Sequence, residues 1–372
     1  MDARYQQNQR LALCTAALLT PALRLHPAIP AQLAGRAAWL SPLAALPVLL
    51  LYGRFLRALL SRRQKGEALP ELLLRTLPGR AGKAVLLVLS AWLLLYAGFT
   101  LRAGAQRLLV TIYPNARPEL FLLSLGLLSL YAALGSLRSL VRVAKLVLPV
   151  LLGILLLMLP MALGALEREN LLPLGLRDAP DLLRGALACL DVLVLPPVLL
   201  GFFPSGGGEE GSRVPAFWLA GLCLLLFAPG LAVQGRMGPA LTARLSQPFF
   251  TLVRNLVFLR SLERMEALVV SLWIFPDFLL CALLLQAAQR TLRRLLGQDP
   301  AWENEGRFSL ERGRWVIWLC GAAAIGLGLA LGRDAAGFRF WSERLIPAGN
   351  LLLCFGLLPL LMLRERPQRK QN

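Results

Sequence analysis

Two carboxylates stand where carboxylates are expensive. Asp191 lies inside the apolar stretch Gly185–Phe203, and Asp277 inside Glu266–Ala288. A charged group within hydrocarbon is costly, so it faces a cavity or a partner and marks a ligand or proton path. Asp191 precedes Leu193-Val194-Leu195-Pro196-Pro197 by about a turn, and Asp277 directly follows Pro276. Each proline removes a backbone donor and clashes with the carbonyl one turn back, so a regular helix is interrupted near each acid. Within a bilayer, a broken helix survives only where protein or a cavity meets the freed backbone groups. The chemistry on offer is binding. Half-helix N-termini present amide donors to a carboxylate, and freed carbonyls accept an ammonium or a cation. An amino acid suits both. Asp191 and Asp277 are the candidates for proton or ion coupling.

A second set lies on one helix. Trp92, Tyr96, Thr100, Ala103 and Arg107 recur at helical spacing and share a face. The hydroxyls of Tyr96 and Thr100 offer hydrogen bonds to a ligand, and Ala103 leaves room beside them. The same pattern also serves as a packing stripe with small polar glue. Around Asp277, Glu266 and Trp273 share its face, while Ser271 and Phe275 share another. The remaining binding candidates come from two proline-broken segments: Thr20, Ala22 and Leu23 in the first, Leu193 and Pro197 in the sixth. Arg24 and His26, near the end of the first segment, read as snorkelling side chains. Asn350, beside Gly349, reads as helix–helix glue.

The elements that must position these residues are membrane spans. The chain has 372 residues, 57% hydrophobic and only 16% charged, too apolar for an ordinary soluble protein. Apolar stretches of spanning length recur from end to end. Ten are expected: Leu11–Ile29, Ala38–Leu60, Lys83–Val110, Glu119–Leu134, Leu140–Ala165, Gly185–Phe203, Pro215–Val233, Glu266–Ala288, Trp315–Leu331 and Leu345–Leu363. A short amphipathic piece, Leu69–Leu77, follows the basic run Arg62-Arg63-Gln64-Lys65. Gln234–Met265 reads as a helix lying on the membrane face. The two clearest proline breaks lie five segments apart. Paired interruptions in corresponding halves point to an inverted-repeat transporter fold with its site at the midplane. The expected architecture is therefore one all-α integral membrane domain over residues 1–372. It is a 5+5 inverted repeat of the LeuT type, with halves at about 11–165 and 185–363 and discontinuous first and sixth helices.

The net charge of +19 sits mostly in short loops between apolar segments, which is the topogenic pattern and not a nucleic-acid surface. Placing both termini in the cytoplasm puts most of the Lys and Arg on that side. The six cysteines all lie in apolar segments with no CxxC spacing, so they read as packing residues. One histidine excludes His-rich metal chemistry. There is no phosphate loop, nucleophile elbow, HExxH or paired catalytic carboxylates at useful spacing. Neither an enzyme nor a cofactor is expected, and no cleavable signal peptide stands out.

Several local stretches add up to a resemblance. Pro248, Arg254-Asn255-Leu256, Phe258, Glu263-Arg264-Met265-Glu266 and Trp273 form the clearest. Leu101-Arg102 running to Ile112-Tyr113-Pro114-Asn115-Ala116-Arg117-Pro118 is a second, and Ala37-Ala38-Trp39-Leu40 a third. Together they resemble the B subunit of bacterial spore germinant receptors (the GerAB type), within the amino acid–polyamine–organocation transporter superfamily. Asp191 falls where that family carries an acid before a proline. Three departures stand out: Arg138 replaces a glutamate, Ala37 an aspartate, and the first break lacks a glycine. The resemblance implies a sensor that binds a small nutrient, usually an amino acid. It implies a place in the inner spore membrane beside A-type and C-type subunits. The residues themselves leave open a proton-coupled amino-acid permease of the same fold, and a structural subunit whose site has degenerated.

Overall fold

The computed structural model describes residues 3–25, 27–64, 66–111, 113, 115–204, 214–255, 271–298, 315–332 and 334–359. His26, the centre of the Pro248–Trp273 motif including Phe258 and Glu263–Glu266, and the end of the tenth expected segment lie outside these residues.

The described chain is helical throughout. It opens with α1 (Ala3–Leu25), α2 (Ala28–Ala34), a 3-10 turn over Gly35–Leu40 and α3 (Ser41–Leu60). α1 runs through Pro21 to Leu25 and α2 starts after Pro27, so the two helices part at the second of the prolines that flank the expected first break. Next come the short α4 (Leu69–Thr76), then α5 (Arg80–Thr111), α6 (Pro118–Leu134) and α7 (Leu137–Gly164). The second half begins with α8 (Ala179–Leu193) and α9 (Leu195–Gly201), followed by α10 (Ala216–Arg244) and α11 (Pro248–Asn255). It closes with α12 (Ile274–Leu295), α13 (Trp315–Leu331), α14 (Ala335–Phe340) and α15 (Ile346–Leu351). π turns at Trp341–Leu345 and Leu352–Leu357 flank α15.

Among the described residues, five helical stretches are long and apolar enough to cross a membrane: Ala28–Leu60, Arg80–Val110, Leu137–Gly164, Leu176–Gly201 and Ala216–Arg244. Pro118–Leu134 and Trp315–Leu331 are shorter and apolar. Many outward leucines are exposed, such as Leu146 at 75% and Leu156 at 73%, as lipid-facing residues of a bundle are. α12 differs from these. It carries Asp277, Arg290, Arg293 and Arg294, and its residues from Pro276 to Ala288 are all buried. It packs along α5 at the centre of the bundle.

The interruption of the sixth segment is one residue long. Val194 alone separates α8 from α9, and its angles (φ −79°, ψ −20°) stay helical. Pro196 and Pro197 occupy the first turn of α9, where a missing N–H is tolerated. The carbonyls of Val192 and Leu193 therefore lose their usual donors while the chain keeps its course.

The expected surface helix is corrected. The stretch from Gln234 continues α10, which bends at Gly238 with φ +74°, before Pro239. After the turn, α11 buries Phe249, Phe250, Leu252 and Val253 at 2–3% exposure against Trp273 and the apolar face of α7. The helical spacing of those residues is real, but the face they form meets protein.

Candidate functional site

Asp191 is buried at the end of α8. Asn350 of α15 donates from Nδ2 to Asp191 Oδ1 at 2.7 Å. The same amide accepts from Trp92 Nε1 of α5 at 3.1 Å. Three helices from both halves of the chain thus meet in one hydrogen-bonded line. Gly349 makes the approach possible, since a Cβ there would run into the Trp92 indole. Asn350 is the glue its position indicated, and its partner is the acid.

Asp277 has a different partner. Arg107 of α5 donates from Nη2 to Asp277 Oδ2 and, at 3.3 Å, to the Trp273 carbonyl. Both charged side chains are 0% exposed. The guanidinium also lies 5.5 Å from the centroid of the Phe250 ring, within cation–π range. Gly104 permits the close passage of α12. A Cβ there would lie 2.8 Å from Asp277 Oδ2 and 2.9 Å from a Leu125 methyl.

Ala22, Tyr96 and Leu193 fall in one buried apolar cluster with Leu195, Val198 and Phe278, and Pro197 is buried in α9 beside it. Tyr96 lies next to Phe99, ring centroids 6.3 Å apart, and Phe99 stacks on Phe338 at 5.2 Å. The Thr100 hydroxyl donates back to the Tyr96 carbonyl at 2.8 Å, a common resting arrangement for a helical threonine. Thr20 and Leu23 belong to α1, but their side chains lie outside the described set. Ser271 and Phe275, just before and at the start of α12, are exposed, Phe275 at 39%. Ala22, Tyr96, Leu193 and Pro197 are thus buried within the bundle, whereas Ser271 and Phe275 are exposed.

A second polar cluster ties one end of the bundle. Arg63, just after α3, donates to the carbonyls of Leu60 at 3.1 Å, Gly201 at 3.1 Å and Phe203 at 2.8 Å. It thereby caps the C-terminus of α9, whose last carbonyls have no helical partner. Glu71 of α4 accepts from Arg290 at 2.9 Å, from Arg294 at 3.0 Å and from its own Ala68 N–H at 2.8 Å. Burial alone would raise the Glu71 carboxyl. The Arg290 charge, its hydrogen bond, and those from Ala68 and Arg294 outweigh it and hold the group below its ordinary value. Burial, with Arg10 and Arg290 nearby, lowers Arg63 to about 10 against the pull of Glu67 and Glu71, so it stays charged at neutral pH. Sequence reading passed over this cluster. The one local signal was Glu71 three residues into a helix start, an N-terminal capping position.

A search of curated proteins finds no match. Among solved structures, the chain is similar to that of Mhp1, a nucleobase-cation-symport-1 family transporter, in a closed conformation with bromovinylhydantoin bound. The TM-score is 0.62 at 12% identity, covering 93% of this chain and 76% of that one. At that identity the likeness shows the fold, a multi-span helical bundle resembling a LeuT-type transporter. Among the described residues no cluster of three His, Cys, Asp or Glu is placed to hold a metal. Fold and sequence agree on a transporter-like membrane protein: the family described as spore germination protein (Spore_permease) matches residues 8–302, most of the chain, and the chain belongs to that family.

Proposed function

We propose that the protein is the germinant-sensing membrane subunit of a spore germination receptor. It binds a small nutrient, an amino acid, at the junction of the first, third, sixth and eighth spans of a ten-helix 5+5 repeat. It sits in the inner spore membrane with both termini in the cytoplasm, and A-type and C-type receptor subunits read its state. The freed carbonyls of Val192 and Leu193 accept the ammonium, Tyr96 and Thr100 orient the ligand, and Ala22 and Leu193 face its apolar part. Pro197, Thr20 and Leu23 complete the wall, with Ser271 and Phe275 at the edge.

The observation that favours sensing over proton-coupled transport is the engagement of both acids. Protonating Asp277 would leave the buried Arg107 without its counter-ion, and a buried charge stripped of its partner is strongly unfavourable. Asp191 is held by the neutral Asn350 amide, which ties its carboxylate to α5 and α15. A ligand then acts by its differential affinity for two conformations, and the shift is bounded by that difference.

The test is a thermal-shift screen of the purified protein against the twenty amino acids. A ligand at a hundredfold excess over its Kd stabilises by about 2.7 kcal/mol. The hit should be lost in Thr100→Ala and should also trigger germination of spores that depend on this receptor. Uphill uptake of that amino acid into vesicles, collapsed by a protonophore, would replace sensing with the permease reading.

A further inference from the structure

We infer that the end of the bundle beside α2 carries a second, shallow binding site for an amino-acid zwitterion, outside the buried one. This rests on the sensing function proposed above and adds to it a capture step.

A cavity of about 680 Å³ opens there, within the range of small-molecule clefts. Four stretches form it: α2, the C-terminal end of α5, the turn between α10 and α11, and the π turn after α14 with the residues leading into it. Its polar groups divide by kind. Arg244 on one wall and Arg339 on another bring only donors; Glu343 brings only acceptors. Gln247 also lines the cavity. It is 8% exposed, and its Oε1 has no hydrogen-bond partner among the described residues. A buried amide oxygen without a donor is an open acceptor. A ligand of one charge would answer half of this lining. A carboxylate for Arg244 and Arg339 together with an ammonium for Glu343 and Gln247 answers both kinds. Ala28, Ile29 and Leu109 supply an apolar strip for an aliphatic side chain.

The lining is partly held and partly available. Gln32 donates to the Ala243 carbonyl at 2.9 Å, fixing α2 to the end of α10. Thr242 donates to Gly238 at 2.7 Å, fixing the bend before it. By contrast, Arg339 and Glu343 are only 4.0 Å apart at best, on side chains 73% and 36% exposed. A pair so loosely held yields to a ligand. Ser342 and Glu343 stand on the π turn Trp341–Leu345, the kind of local widening that gathers at functional sites. The cavity is also joined to the buried site. Phe338 lines it and stacks on Phe99, which lies beside Tyr96. A ligand resting against Phe338 is two rings, Phe338 and Phe99, from Tyr96.

The experiment measures binding of radiolabelled L-alanine and L-leucine to the full chain in detergent, at equilibrium. The variants are wild type, Thr100→Ala, and Arg244→Gln/Glu343→Gln. Two sites are expected in the wild type. The component surviving Thr100→Ala should weaken about tenfold when the two charges are removed, at about fivefold or less per exposed charge. Propylamine and propionate should each compete more weakly for it than alanine. One site, lost in Thr100→Ala and indifferent to Arg244→Gln/Glu343→Gln, would overturn the vestibule while leaving the sensing site intact. A single site lost only in Arg244→Gln/Glu343→Gln would support the vestibule and overturn the buried site. No binding of either amino acid in any form would overturn both. Thermal unfolding of each variant separates lost binding from lost folding.

Discussion

Removing one member of the Arg107–Asp277 pair should cost far more than removing both. Both side chains are 0% exposed, so a surviving charge has no water to turn to. Breaking a buried pair from one side costs about 3–5 kcal/mol, whereas apolar replacement of both is often neutral or better. Arg107→Met strands the Asp277 carboxylate and also gives up the contact with Phe250 and the bond to the Trp273 carbonyl. It should fall at the upper end, about 5 kcal/mol. In Asp277→Asn those two contacts remain to Arg107, so that variant should sit nearer about 3 kcal/mol. The double variant Arg107→Met/Asp277→Leu should recover most of the loss, giving a coupling of about 3 kcal/mol or more in the double-mutant cycle. The assay is unfolding of the purified protein in mild detergent, followed by tryptophan fluorescence. Trp273, fully buried against Phe249 and Phe250, is a local reporter. Additive single and double effects, or single variants costing under about 1 kcal/mol, would refute the claim that the pair is desolvated and mutually dependent.

Three further outcomes follow from neighbouring geometry. Gly104→Ala should destabilise by about 1–3 kcal/mol, as overpacking does, because its Cβ would press on Asp277 and Leu125; unchanged stability would mean α5 and α12 separate easily. Arg63→Met strips the carbonyls of Gly201 and Phe203 of a charged donor and should cost about 1.5–3 kcal/mol in the same unfolding assay. The stability contributed by Glu71 should depend on pH. Its folded pKa lies below the ordinary 4.5, so the contribution is complete above the unfolded value and disappears as pH falls through the folded one. Wild type should exceed Glu71→Gln in melting temperature at pH 7, and the gap should close well below 4.5; a gap constant with pH would argue against the depressed value.

The helices and their faces were legible in the sequence because apolar length and 3.6-residue spacing are local properties. The stripe from Trp92 to Arg107 is an instance: Tyr96, Thr100, Ala103 and Arg107 are buried along α5, with Trp92 half-buried at the end. What that face does was not legible, since it is divided among distant partners. Trp92 goes to Asn350, Arg107 to Asp277, and Thr100 back to its own helix. Asp277 follows a proline, which suggested an acid beside a helix interruption that couples to a proton or ion. Its partner lies 170 residues away in sequence, beyond any spacing argument. The prolines marked the sixth interruption at the right place but overstated its extent, because the first turn of a new helix accepts them. Gln234–Met265 read as a surface helix because it starts polar and its apolar residues after Pro248 recur at helical spacing. Part of that early polarity is spent inside the protein, where Gln234 donates to the carbonyls of Gly35 and Arg36.

The single-residue interruption at Val194 has a mechanical consequence. Bending a helix within hydrocarbon normally means breaking backbone bonds that no solvent can replace. Between α8 and α9, two of the bonds that would resist bending are already missing, because Pro196 and Pro197 have no N–H to give. The joint is therefore soft at a place where its surroundings are stiff. Its far arm, α9, is only seven residues long and is pinned at its tip by Arg63. A short lever with a compliant root and a charged latch can rock by a small angle and return. Any shift of packing around Leu193 would then be carried to the buried Gly201–Phe203 end, where the Arg63 contacts would register it.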